Sequence, residues 1–264
     1  MLVFAAFVPH PLIAIPDVGR EHAAKIRKTL RAYRELAGEL YAVHPDSVII
    51  ISPHHGMQAT FNINQRPEVQ IDFGKYGNLS DRETLVNDIG TGYALKESLE
   101  PELVLMATDE TVLDYGSAIP LWHLLPRKRS GEGKVIPIGI SGDAPEEHYR
   151  VGVRINRFIH RTAARIAVIA SGDLAHGVRR SGPGTYNPKA ADFNRNVQQA
   201  LEARDLKKLF ALHEGLGKNE VVECGTRVLA LLLGILETRA YTTRIMSSET
   251  ALNVGYLSAQ FVLK

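Results

Sequence analysis

Short apolar runs that end in a histidine recur along the chain. Val3-Phe4-Ala5-Ala6-Phe7-Val8 leads into Pro9-His10-Pro11, and Ser47-Val48-Ile49-Ile50-Ile51 into Ser52-Pro53-His54-His55. Arg165-Ile166-Ala167-Val168-Ile169 leads into Ala170-Ser171-Gly172-Asp173-Leu174-Ala175-His176. Runs of this length, rich in β-branched residues, predict buried strands. Between them, residues 20–41 place Ile26, Leu30, Tyr33, Leu36 and Leu40 at helical spacing, with Pro45 as the stop. Residues 61–64 and 69–73 alternate in character and predict a hairpin or edge strands. Ser80-Asp81-Arg82-Glu83 has the capping-box pattern and predicts a helix start. A short strand is expected over 104–107, a helix within 113–125 and a polar turn over 128–134. A strand is expected over 135–140 and a helix within 145–165. Beyond the breaker-rich loop 179–188, helices are expected at 189–204, 205–213 and 221–237, then antiparallel strands at 241–248 and 251–263. This alternation predicts one α/β domain.

Composition narrows the partners. The 264 residues carry a net charge of +2, and no basic stretch is interleaved with aromatics, so neither nucleic acid nor an anionic membrane is expected. No apolar run approaches the ~20 residues that span a bilayer. The first eight residues lack a basic start and run directly into His10 and prolines, which reads as a strand rather than a signal peptide. The single cysteine, Cys224, excludes an intrachain disulfide and suits a reducing cytoplasm. A symmetric homodimer or higher homo-oligomer is the expected assembly.

Ligand sites in open α/β sheets lie beyond the carboxyl ends of the strands, so three strands that each deliver a histidine there suggest one site. His10, His54 and a carboxylate would make a facial triad suited to non-haem Fe(II), with Mn(II) or Zn(II) as alternatives. The carboxylate candidate is Glu223, near a predicted helix start, with Glu220 as the alternative. His176 is placed for proton transfer. Beside these, His55 backs a neighbouring ligand, contacts substrate or lies at the surface, and Asp173 caps or orients its loop. Arg179 and Arg180 read as a solvated basic pair, and Gly182-Pro183-Gly184 as a rigid turn or a lid.

In order, the motifs are His10-Pro11, Ser52-Pro53-His54, Asp114-Tyr115-Gly116-Ser117, Ser171-Gly172-Asp173-Leu174-Ala175-His176 and Glu223-Cys224-Gly225. This set, spread over nearly the whole chain, resembles the catalytic B-type subunit of the class III extradiol ring-cleavage dioxygenases. It is also similar to the related Memo-type proteins. The resemblance implies a single domain over residues 1–264, with a central mixed sheet flanked by helices. It implies Fe(II) on His10, His54 and Glu223, with His176 as the acid/base residue. The implied reaction is O2-dependent opening of a catecholic or related small aromatic ring, with His55, Asp114, His123 and Asp173 at the substrate. Many ring-cleaving members have a second histidine where this chain has Tyr115, so the proton-donor role passes to Tyr115 or His123, or the reaction differs. Cys224 adjoins Glu223. About 100° apart on a helix, only one of the two can face the site, and a carboxylate suits Fe(II) better than a thiolate. The alternatives are a Memo-like metal-binding or redox protein without ring cleavage, and a Zn(II) hydrolase in which His176 activates water.

Overall fold

A computed structural model describes residues 1–56, 59–100, 103, 105–125 and 134–264. The elements run β1 (Leu2–Val8), α1 (Arg27–Ala42), β2 (Ser47–Ser52), β3 (Asn62–Asn64), β4 (Glu68–Asp72), β5 (Arg82–Val86), α2 (Ile89–Leu99), β6 (Met106–Thr108), α3 (Tyr115–Leu124) and β7 (Lys134–Gly139). They continue with α4 (Pro145–Arg161), β8 (Ile166–Ser171), α5 (Ala190–Ala203), α6 (Leu206–Glu214), α7 (Leu216–Asn219), α8 (Thr226–Ile235), β9 (Tyr241–Ala251) and β10 (Val254–Leu263). Among the described residues, eight strands form one mixed sheet in the order β6-β3-β7-β2-β8-β1-β10-β9. The α/β fold expected for the chain is the one found.

The centre of the sheet is parallel: β7 pairs with β2, β2 with β8, and β8 with β1. Such strands are covered on both faces, which is why they read as unbroken apolar runs. Their side chains still alternate. Ala5, Phe7, Ile49 and Ile51 join a core under α4, α5 and α8. Phe4, Ala6, Val8, Val48 and Ile50 join the opposite core, under α1 and α3. Because β8 lies between β1 and β2, the carboxyl ends that carry His10, Asp173 and His54 emerge side by side.

Several local expectations are corrected. The helix anticipated at 20–41 begins as a 3-10 segment, Arg20–Ile26, and only then becomes α1. No helix starts at Ser80. The Asn78 side chain accepts from the Ser80 and Asp81 N–H groups at 3.1 and 2.9 Å, and the chain enters β5, paired antiparallel with β4. The helix start lies at Asp88 instead, whose carboxylate accepts from Thr91 N–H at 3.2 Å. Residues 61–64 and 69–73 do not pair with each other: β3 enters the main sheet between β6 and β7, and β4 pairs with β5. The predicted turn at 128–134 lies outside the described residues except for Lys134, which opens β7. No helix among the described residues is long and apolar enough to cross a membrane.

Candidate metal centre

His10 leaves β1 and folds back over β8. Its backbone N–H donates to Asp173 Oδ1 at 2.8 Å, and its Nδ1 lies 2.8 Å from Ser171 Oγ. With Nδ1 so engaged, Nε2 is left to face Cys224 Sγ at 3.6 Å. A histidine fixed through one nitrogen and presented through the other is the usual arrangement at a metal. His54 leaves β2 in the same direction, with ring centroids 5.0 Å apart. Its backbone N–H donates to Ser52 Oγ at 3.1 Å, and Ser52 Oγ donates to Asp114 Oδ1 at 2.6 Å. Gly116 makes room for this: a Cβ there would sit 2.5 Å from Ser52 Oγ and 3.2 Å from His54 Cδ2.

The third group is Cys224. Ligand atoms of His10, His54 and Cys224 all lie within 4.8 Å of one another. Asp173 N–H donates to Cys224 Sγ at 3.2 Å, and Cys224 N–H returns a bond to Asp173 O at 3.3 Å. A Cβ on Gly172 would fall 2.6 Å from Gly225 Cα, so this close approach of the β8 exit to the start of α8 requires glycine.

Glu223 is turned away from the cluster. Its Oε2 accepts from the N–H groups of Gly225 and Thr226 at 2.6 and 2.7 Å, and its Oε1 accepts from Thr226 Oγ1 at 2.5 Å. His213 Nδ1 lies 3.5 Å from Oε1. The carboxylate caps the first turn of α8, where unpaired N–H groups and the helix dipole favour a negative charge. The structure therefore departs from the expected His10–His54–Glu223 set, and the reason is this competition for the carboxylate.

Burial sets the charge state of the cluster. It lowers the His10 and His54 imidazoles to about 4, so both are neutral at neutral pH. Burial and then the Asp173 charge push the Cys224 thiol well up. Burial also raises Asp173 to about 6, against the opposing pull of the His10 N–H and of the nearby His176 and His54. For Asp114, burial acts upward but is outweighed by the neighbouring His55 imidazole and by hydrogen bonds from Ser52 and Ser117, which hold the carboxyl at about 2. Two neutral imidazoles and a thiol suit a borderline or soft first-row ion.

The family model described as the catalytic LigB subunit of aromatic ring-opening dioxygenase matches residues 4–258. The chain belongs to the LigB family. That match runs from β1 into β10 and takes in every member of the cluster. Among relatives of this LigB chain, Protein CA_C1420 of Clostridium acetobutylicum is 27% identical over 263 residues, covering 94% of the chain and 55% of that relative. The chain thus spans about half the length of the curated relative it matches. The crystal structure of uncharacterized protein JW3007 from Escherichia coli K12 superposes with a TM-score of 0.70 at 17% identity, covering 97% of this chain and 98% of that one. It shares the single α/β domain with a large mixed sheet.

The other expected residues divide by position around the cluster. Tyr115 belongs to it: its hydroxyl lies 2.8 Å from His54 Nε2, and the rings stack at 4.5 Å. Burial raises this phenol. Asp114 and His55 stand behind it. His55 has no exposed side-chain surface, and its Nδ1 lies 3.4 Å from Glu110 Oε2 and 3.5 Å from Asp114 Oδ2. It lies inside the fold behind the Asp114 turn. His123 stacks on Tyr33 at 4.7 Å and holds Ala14 O at 2.9 Å, beneath the His10 loop. His176 is exposed at the rim, its N–H donating to Val222 O at 2.9 Å, and lines a cavity of about 580 Å3 that also includes Glu220. Sequence reasoning missed the roles of Ser52 and Ser171, although both directly follow the apolar runs. It also missed Tyr256, a buried β10 residue whose phenol is pushed up by burial and then by Asp173 and Cys224. Nothing in the alternation of β10 marks it.

Proposed function

We propose that this LigB-family chain is a metal-binding, redox-type protein. Its ion is held by His10, His54 and Cys224, and the likeness to Memo-type proteins describes it better than catechol cleavage does. The observation that carries this reading is the presence of Cys224 Sγ, rather than the Glu223 carboxylate, within 4.8 Å of both imidazoles. A thiolate among the ligands favours Zn(II), Cu(I) or thiolate-bound iron over the hard set expected for an Fe(II) facial triad. When bound, the ion would supply Lewis acidity and, if redox-active, an electron.

The surrounding residues have separate tasks. Ser171 orients His10, and Ser52 with Asp114 fixes His54. Asp173 N–H stabilises the thiolate, and its carboxyl, 3.7 Å from His10 Nε2, can take up and return a proton near pH 6. Tyr115 remains a phenol at neutral pH and serves as a donor rather than a base. His176 stands exposed at the mouth, beside the loop that carries Arg179.

A second reading, O2-dependent opening of a small aromatic ring, is favoured by the LigB match itself. One experiment separates the two. The protein is loaded anaerobically with Fe(II) or Zn(II), and metal content is measured for wild type, Cys224→Ser and Glu223→Gln. The Fe(II) form is then screened with catechols for O2 uptake. Loss of metal in Cys224→Ser with retention in Glu223→Gln, and no O2 uptake, is expected. The reverse metal pattern overturns the proposed ligand set, and a ring-fission product establishes the second reading.

A further inference from the structure

A second cavity, of about 630 Å3, shares Pro183, Leu252 and Asn253 with the His176 cavity, but its other lining residues are different. Four exposed cationic residues are among those that line it: Lys25, Arg27 and Lys28 at the entry to α1, and Arg179 in the loop after His176. Its one carboxylate, Glu249, is already committed, since Oε1 accepts from Thr29 N–H at 2.6 Å and from Thr29 Oγ1 at 2.7 Å. Among the described residues, none of the four cations makes an ion pair, whereas Arg31, Arg66, Arg82, Arg150, Arg195 and Arg244 each do. The chain as a whole carries only +2. Four cations against one engaged carboxylate are therefore a local concentration of charge, and like charges gathered around one cavity repel unless an anion joins them.

Size and lining narrow the ligand. The volume lies within the range of about 300–1,000 Å3 typical of small-molecule sites. No aromatic side chain is among the described lining residues, so nothing is present to stack a nucleobase. The arginines come from two different elements and offer planar forks matched to phosphate or carboxylate, while the lysines add point charges. We propose that this cavity binds a small polyanion bearing at least two phosphate or carboxylate groups and no aromatic base. The site is separate from the metal cluster, and its Arg179 wall belongs to the loop that follows His176.

The test is calorimetric titration of metal-free protein with tripolyphosphate and, separately, with citrate, at about 50 mM and about 300 mM salt, since screening weakens such contacts. One-site binding of at least one probe, weaker at the higher salt, is expected, and the probe bound more tightly identifies the chemistry preferred. Arg27→Glu and Arg179→Glu should each weaken binding at least tenfold. Glu at the first residue of a helix is favoured by the dipole, so Arg27→Glu is expected to remain folded, as a melting curve will show. Arg66→Glu, at a distant ion pair, and His10→Ala, in the metal cluster, should bind as wild type does. Failure of both probes to bind wild type, wild-type binding by both charge-reversed variants, or loss of binding in His10→Ala would overturn the proposal. None of these outcomes bears on the metal content of the His10–His54–Cys224 cluster.

Discussion

The backbone N–H of Asp173 donates to the sulfur of Cys224 at 3.2 Å, across 51 residues of chain. This bond ties the exit of β8 to the turn before α8, and it opposes, without overcoming, the burial that keeps Cys224 a thiol beside two neutral imidazoles. Four predictions follow from this arrangement and its surroundings.

Metal binding at neutral pH should release about one proton. His10 and His54 are already neutral, whereas burial keeps the Cys224 thiol protonated until an ion takes its place. Zn(II) titrations at pH 7 in two buffers of different ionisation enthalpy give the number directly. Cys224→Ser should bring it close to zero. Undiminished release in that variant would remove the thiol from the ligand set.

Glu223→Ala should act on stability rather than on metal. It deletes the acceptor for the Gly225 and Thr226 N–H groups at the start of α8, a capping loss of about 1–2 kcal/mol. Urea unfolding of the metal-free protein measures this. Unchanged stability together with lost metal binding would reinstate Glu223 as a ligand.

Stability of the metal-free protein should fall as pH drops from about 6.5 to about 4. In that window the unfolded chain protonates His10 and His54 while the folded one, with both held near 4, does not. Each histidine contributes a limiting slope of about 1.4 kcal/mol per pH unit. Asp173 works the other way: its carboxyl is raised to about 6, so the folded state takes up its proton first and regains stability as pH falls through the same window. Two histidines outweigh one carboxyl, and Asp173→Asn should steepen the loss. Below pH 4, Asp114, held at about 2, adds a further loss. A flat or rising profile in urea unfolding between pH 7 and 4 would contradict buried neutral imidazoles.

Gly116→Ala should weaken metal binding more than tenfold. The added Cβ would meet Ser52 Oγ at 2.5 Å and Asp114 Oδ1 at 2.9 Å, the two atoms that orient the His54 backbone. Overpacking of this kind costs about 1–3 kcal/mol. Competition titration with a chromophoric chelator reads the affinity, and an unaltered value would show that His54 does not depend on that pair.

Much of the site was legible because its carriers are buried parallel strands. Such strands must be continuous and apolar, so the polar residues at their ends stand out, and His10, His54 and Asp173 are found that way. Asp114 was also singled out, within the Asp114-Tyr115-Gly116-Ser117 motif, but its capping of α3 appears only in the structure. The strand at 82–86 was not, since Ser80 and Glu83 have capping-box spacing. The competing bonds from Asn78 and the pairing with β4 appear only in three dimensions.

The choice between Glu223 and Cys224 marks the same boundary. The amino-acid sequence by itself determined the α/β class, the strands, and the delivery of histidines to one end of them, because local apolar patterning governs which segments are buried. Treating residues 223 and 224 as helical implied that one would face the site and the other would not, but α8 begins only at Thr226, so both lie in the preceding turn. There the orphan N–H groups of the helix claim the carboxylate, and the approach of Gly225 to Gly172 presses the thiol toward His10. Only the tertiary structure could decide this, because it depends on which groups are left unpaired when α8 docks against the end of β8.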